Sequence, residues 1–383
     1  MIHSFRSVSN IIYGNGASSH IGKEAKRIGA ASALVVTGKS ARADNGCLPV
    51  MNSLQEHGLR AEIFCAAAGE PTPSSVEDCA ALARKFGADL IIGLGGGSVL
   101  DTAKAAALLA TNGGPIERYF GVDQVPAPCL PMILVPTTAG TGSEMTSISV
   151  VADAASDSKK GIVSDHLFAR TVVLDPLLTL SVPPKVTAAT GLDAFVHAME
   201  SYVNLASTPF TDCHTLQAMD MIAQNIRRAC ADGHDTNARE QMLYASALAG
   251  KGFSNTQNGV IHAIAMAVPA SYHLPHGLLV GAIAPMGMAF NCQTAPEKYA
   301  RIAQILGCDS GAASLAEQAR SAVAGFERLL ADLDITPGLA AHGVRREDIR
   351  GIAERAAATR RLMDGNPAKG GAEDLERLIK RHF

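Results

Sequence analysis

No two of the eight cysteines, at positions 47, 65, 79, 129, 213, 230, 292 and 308, stand as a CxxC pair. That spacing argues against a disulfide framework and a thiolate zinc site, and for reduced, mostly buried thiols. No run of Lys or Arg marks a nucleic-acid surface, and the net charge of −3 is close to neutral. No uninterrupted apolar run reaches the roughly 18 residues that a membrane span requires. The most apolar helical segment, "SVLDTAKAAALLA", carries Asp101 and Lys104 inside it. The opening "MIHSFRSVSNIIYGNG" has no apolar stretch long enough for a signal peptide. The expectation is a soluble cytoplasmic protein without nucleic-acid or membrane partners. Internal repeats and low-complexity segments are also absent.

What is present is a globular chain of 383 residues, 47% hydrophobic and 18% charged, long enough for two domains. The first part alternates short β-branched runs with Ala-rich helical patterns. Strands are expected at 33–38, 61–66, 89–97 and 131–138, with further β-rich stretches at 147–152 and 171–175. Helices are expected at 48–59 and 74–87, the second with Ser at its N-cap. Such alternation predicts a mostly parallel sheet covered on both faces. After "LSVPPK" the texture changes to 3.6-period patterns, as at 213–230, 239–252 and 313–333. The expected division is an α/β domain over 1–182 and an all-helical domain over 183–383, with the Pro pair 183–184 as boundary marker.

Three groups of residues carry candidate chemistry. In "GLGGGSVLDTAK" (93–104), consecutive glycines and Ser98 lie between a strand and a helix, where backbone N–H groups attract phosphate. Neither the G-x-G-x-x-G fingerprint nor a Walker loop fits there. The loop "PTTAGTGSEMT" (136–146) follows another strand and offers Thr137, Thr138, Thr141, Ser143 and Thr146 around two glycines. Two such loops at the ends of parallel strands mark the place where α/β sheets bind nucleotides. The third group is split. "GLDAFVHAMESY" (191–202) puts Asp193 and His197 four residues apart on one helix face, and "NGVIHAIAMAVPASYHLPHGLLVG" (258–281) holds His262, His273 and His276. Imidazole and carboxylate donors without thiolate suit Fe²⁺ or Zn²⁺; taken alone, each His also reads as a satisfied core residue.

Together, "GGGSVLDTAK", "PTTAGTGSE", "GLDAFVHAMESY" and "HAIAMAVPASYHLPHG" resemble the four signature blocks of the iron-containing (group III) alcohol dehydrogenases, in their order and over essentially the whole chain. The resemblance implies a dinucleotide-binding α/β domain and a helical domain, in the architecture shared with dehydroquinate synthase, and an active site in the cleft between them. It implies Asp193, His197, His262 and His276 as ligands of a catalytic divalent metal, with Fe²⁺ favoured and Zn²⁺ an alternative. Gly96, Gly97 and Ser98 match the pyrophosphate-binding turn. Asp101, Thr137, Thr138, Thr141, Ser143, Thr146 and Lys160 match further cofactor contacts; on its own, Asp101 also reads as an i,i+3 partner of Lys104.

Two departures from the family pattern matter. Many relatives carry Asp where Gly38 stands. Its absence, with Lys39 and Ser40 following, favours NADP(H) over NAD(H), because a carboxylate there repels a 2′-phosphate. Many also carry a second His four residues after the third ligand, where this chain has Met266, which transfers no proton; His273 is the candidate replacement.

The implied activity is a metal-dependent, NAD(P)-linked alcohol dehydrogenase or aldehyde reductase. Hydride passes between nicotinamide C4 and the carbon of a small alcohol or aldehyde, with the metal as Lewis acid on its oxygen. A homodimer is implied as well. The alternatives are a maleylacetate-reductase-like or hydroxyacid oxidoreductase, a dehydroquinate-synthase-like lyase, and a non-catalytic nucleotide-binding protein. An acidic substrate would need an Arg or Lys pair, and the four blocks show no obvious one.

Overall fold

Strands form where β-branched and apolar residues run together, and the sheet they build orders the glycine-rich turns. The computed structural model describes residues 4–39, 46–66, 69, 71–153, 158–308 and 314–383. By its contacts the chain divides into a unit Arg6–Ser181 and a unit Val182–Phe383, the latter joined by Phe5 at the start of the chain.

In the first unit the strands β1 (Ile11–Tyr13), β2 (Ser32–Gly38), β3 (Arg60–Ala66), β4 (Leu90–Gly95), β6 (Met132–Pro136) and β9 (Thr171–Leu174) make one sheet, ordered β1-β9-β6-β4-β2-β3. Every pairing in it is parallel. A separate three-stranded sheet is formed by β5 (Gly121–Val122), β8 (Ser158–Val163) and β7 (Ile148–Asp153), with β7 antiparallel to β8. The stretch 147–152, expected beside the other strands, therefore belongs to a second sheet. The helix expected at 74–87 begins at Pro73, and its cap is Thr72, whose Oγ1 accepts from the Ser75 amide at 3.2 Å. Pro at the first helical position puts the cap two residues upstream of Ser74.

The sheet positions the turns through side-chain alternation. Val35 of β2 and Ile92 and Leu94 of β4 face a buried cluster with Ile21, Ala25 and Leu54 of the helices Ile21–Ile28 and Leu48–Glu56. Gly93 and Gly95 face the other way, toward the helix Gly97–Asn112. A Cβ on Gly93 would stand 2.9 Å from Ala103 Cβ, and one on Gly95 would stand 2.7 Å from Val99 Cβ. These glycines let the helix lie directly on the strand. Between β2 and β4 the connections leave in opposite directions, and at such a switch point ligands bind beyond the strand ends. Gly38 and the Gly95–Ser98 turn both lie there.

The second unit is helical. Its central helix, Pro184–Val203, is buried from Leu192 to Val203 and packs against Pro209–Ala231, Thr236–Thr256 and His276–Asn291. Among the described residues, no helix is long and apolar enough to cross a membrane.

Candidate metal centre and nucleotide turn

The central helix presents Asp193, His197 and Glu200 from one face, since i+4 and i+7 return to the same side. Gly277 and Gly281 bring the helix His276–Asn291 against it. A Cβ on Gly277 would meet Ala189 O at 2.4 Å, and one on Gly281 would meet Leu192 Cδ1 at 2.9 Å. This close approach seats His276 beside Asp193. The helix Val260–Ala267 supplies His262.

Three imidazoles converge on one oxygen. Asp193 Oδ1 lies 3.5 Å from His262 Nε2 and 3.9 Å from both His197 Nε2 and His276 Nε2. Donor atoms of Asp193, His262 and His276 all fall within 4.8 Å of one another. His197 is outside that mutual set, and it stacks on His262 with ring centroids 4.5 Å apart and on Phe253 at 4.4 Å. Asp193 Oδ1 and His262 Nε2 are fully buried with no hydrogen-bond partner among the described residues. Buried polar atoms left in this state are costly unless something binds them. Their spacing is close to the roughly 3.4 Å edge of a tetrahedron with bonds of about 2.1 Å. The donor set therefore fits a divalent cation.

Glu200, which the sequence reading did not single out, completes the arrangement. Its Oε2 accepts from His262 Nδ1 at 2.7 Å and from the Gly259 amide at 2.9 Å, and Oε1 accepts from the Ile261 amide at 2.6 Å. With the proton on Nδ1, His262 turns the Nε2 lone pair toward Asp193, as metal-ligating imidazoles with a carboxylate behind them do. Burial works against charge on His262, but the Asp193 and Glu200 carboxylates outweigh it and raise its pKa to about 9, so a cation bound at Nε2 would displace a proton from that atom. Burial also opposes the Asp193 carboxylate, and the surrounding imidazoles, His197 first, hold it well below the ordinary range. The signal for Glu200 was in the sequence: it stands seven residues after Asp193 on the same helix.

The other candidates separate into two groups. Met266 is half-buried on the helix that carries His262, whereas His273 is exposed at a left-handed φ of 51° after the turn Ala270–Tyr272. In the first unit no side chain caps the helix that starts after Gly96, which leaves its N-terminus suited to an anion. Thr138 and Thr141 border the turn: a Cβ on Gly96 would be 3.3 Å from Thr138 Oγ1, and one on Gly97 would be 2.5 Å from Thr141 Cγ2. Gly97 thus serves the packing of the two loops. Ser98, Thr137, Thr138 and Thr141 are half-buried, as are Gly38 at the end of β2 and Lys160 in β8; Lys39 is exposed, and Ser40 lies outside the described residues.

Ser143 and Thr146 are buried and face inward. The ammonium of Lys104, itself fully buried, shares its three N–H groups among the Ser143 carbonyl, Ser143 Oγ at 3.1 Å, Thr146 O and Oγ1 at 3.0 Å each, and Ile148 O at 2.8 Å. Ser143 Oγ in turn donates to Asp101 Oδ1 at 2.6 Å, and Asp101 Oδ2 accepts from the Val150 amide at 3.2 Å. Ser143 therefore stands between Asp101 and Lys104, and the three fasten the Thr-rich loop to the helix after the glycine turn.

Residues 9–176 match the iron-containing alcohol dehydrogenase model, and residues 187–383 match the model of the C-terminal part of the Fe-containing alcohol dehydrogenase family. A sulfoacetaldehyde reductase of Bilophila wadsworthia is 47% identical over 98% of both chains. A crystal structure of 1,3-propanediol oxidoreductase superposes with a TM-score of 0.97 at 33% identity, covering 100% of both chains. The sulfoacetaldehyde reductase of Bifidobacterium kashiwanohense, solved in complex with NAD⁺, gives a TM-score of 0.88 at 26% identity, covering 100% of this chain and 99% of that one. The chain belongs to the iron-containing alcohol dehydrogenase family and is an alcohol/aldehyde oxidoreductase.

Proposed function

We propose that this protein is a metal-dependent, nicotinamide-linked reductase of short aldehydes, running as an alcohol dehydrogenase in reverse. The observation that carries the reading is the convergence of His197, His262 and His276 on Asp193 Oδ1, with two buried donor atoms lacking partners. Asp193, His197, His262 and His276 would hold a divalent cation, Fe²⁺ in first place, which supplies Lewis acidity toward the substrate oxygen. The nicotinamide supplies or accepts the hydride. Glu200 fixes the tautomer of His262, and Phe253 walls off one face of His197. Met266 carries no exchangeable proton, so proton delivery falls to water or to His273.

Gly96, Gly97 and Ser98 receive the pyrophosphate at the helix N-terminus, with Thr137, Thr138 and Thr141 around it. Ser143, Thr146 and Asp101 hold that loop in place, and Lys160 contributes charge. NADP(H) is the preferred form. A Cβ on Gly38 would meet only Val99 Cγ2, at 3.5 Å, so neither packing nor a positive φ demands glycine there. Sulfoacetaldehyde, the substrate named for the Bilophila wadsworthia relative, is the first substrate to test. The active form is a homodimer, which light scattering measures directly.

The test is oxidation of NADPH and NADH by protein loaded with Fe²⁺ or Zn²⁺, over a panel of short aldehydes that includes sulfoacetaldehyde. Metal-dependent turnover is expected. Full turnover by metal-free protein, or none by loaded protein with either nucleotide, would overturn the reading.

A further inference from the structure

The four signature blocks hold no basic pair for an acidic substrate, but the structure places one guanidinium beside the helix that carries His262. Arg361 lies on the short helix Arg360–Met363, which packs against Val260–Ala267. It is half-buried, and its Nη1 donates to Gln257 Oε1 at 2.6 Å. Among the described residues no carboxylate pairs with it, and burial alone lowers its pKa. Arg239 makes a useful contrast. That residue is also buried, with the Asp232 carboxylate nearby, and it spends Nε on Gly233 O, Nη1 on Thr187 Oγ1 and Nη2 on Val182 O. A guanidinium has five donors; Arg239 places a bond from each of its three nitrogens within the protein, whereas Arg361 gives one bond to a neutral amide.

Gln257 is itself unusual. It has φ 76° and ψ 172°, a backbone conformation that residues other than glycine rarely hold. It joins the helix bearing Phe253 to the helix bearing His262, and the Gly259 amide two residues later binds Glu200 at 2.9 Å. Strain of this kind persists where surrounding structure enforces it, as at ligand clamps. Here it presents the Gln257 amide to Arg361 on the loop leading to the metal donors.

We propose that Arg361, oriented by Gln257, binds the anionic tail of the substrate, so that the enzyme selects short aldehydes carrying a terminal sulfonate or carboxylate. This rests on the aldehyde-reductase reading above. A planar guanidinium with unspent donors suits either oxyanion, and its partial burial strengthens the pairing.

The experiment compares metal-loaded wild type with Arg361→Met, which keeps the aliphatic stem. Two readouts are used: the ratio of kcat/KM for sulfoacetaldehyde to that for butyraldehyde, and calorimetric binding of ethanesulfonate and propionate. Loss of the charged hydrogen bonds should cut both the ratio and ethanesulfonate affinity by about 10- to 100-fold, mainly through KM. Arg361→Lys, which keeps charge without the fork, should fall between and serves if the Met variant does not fold. Propionate binding in preference to ethanesulfonate, lost in the variant, also supports the subsite and assigns it to carboxylates. An unchanged ratio together with unchanged anion binding would overturn the proposal. Wild type that binds the anion through Arg361 but reduces no aldehyde would sink the reductase reading instead.

Discussion

Glu200 Oε2 accepts a hydrogen bond from His262 Nδ1 at 2.7 Å, and both groups are buried. One carboxylate therefore sets the tautomer of the imidazole that faces Asp193, while also closing the N-terminus of the helix on which that imidazole sits. Replacing Glu200 with Gln keeps the shape but removes the charge and forces an N–H against a backbone donor. Metal affinity should drop about 10- to 100-fold. A competition titration against a chromophoric chelator measures it, with far-UV circular dichroism to show that the helices persist. Unchanged affinity would mean that Glu200 serves only the helix.

Lys104 should matter to both stability and nucleotide binding. Burial draws its pKa down to about 8, against the pull of Asp101 and Glu144. In Lys104→Met the carbonyls of Ser143, Thr146 and Ile148 lose their donor, at a cost of about 2–4 kcal/mol. Urea unfolding should show a lower midpoint with an unchanged slope, and KM for the nucleotide should rise more than kcat falls. A stable variant with the original KM would remove the loop-fastening role.

Gly38→Asp tests nucleotide choice. The Cβ site has room, so the variant should fold, and a carboxylate facing a 2′-phosphate costs enough to lower kcat/KM for NADPH by about tenfold or more. NADH should be little affected or improved. If the two nucleotides change in parallel, the selection is made elsewhere.

Acid should destabilise the first unit through Glu24. Its carboxylate accepts from Arg27 at 2.6 and 2.8 Å, from Thr171 Oγ1 and from Asn10 at 3.1 Å, and Arg27 foremost lowers its pKa from 4.5 to about 2. A depressed folded-state pKa gives stability that is complete above about 4.5 and is lost as pH falls toward 2. Arg27 is 61% exposed, so screening limits the effect, and about 1–2 kcal/mol should disappear over that window. Thermal unfolding of wild type and Glu24→Gln should converge as pH falls through it. A constant gap between them would contradict the assignment.

Much of the site was legible in the chain. Asp193 and His197 announced a shared helix face by spacing alone, and the glycine-rich and Thr-rich loops each followed a strand. Ser143 and Thr146 were less readable. Their hydroxyls look like ligand contacts in sequence, yet in the fold both are buried within hydrogen-bond reach of the Lys104 ammonium. Glu200 was readable in principle from its i+7 position. Arg361 was not, since nothing in "ATRRLMDGNP" indicates which of two adjacent arginines is paired; Arg360 bonds Asp364 at 3.0 Å one turn away, and Arg361 turns toward Gln257.

The sequence by itself determined the alternation of strand and helix, the change to an all-helical second half, and the residue types able to bind metal and phosphate. Those properties are local: periodicity, capping and glycine placement act over a few residues. Only the tertiary structure decided that β7 joins a separate sheet, that three helices bring three imidazoles around one carboxylate oxygen, and that the Arg361 guanidinium gives one bond to a neutral amide. These depend on how close separate elements approach, and at Gly277, Gly281 and Gly95 that distance is set by the atoms a side chain would have displaced.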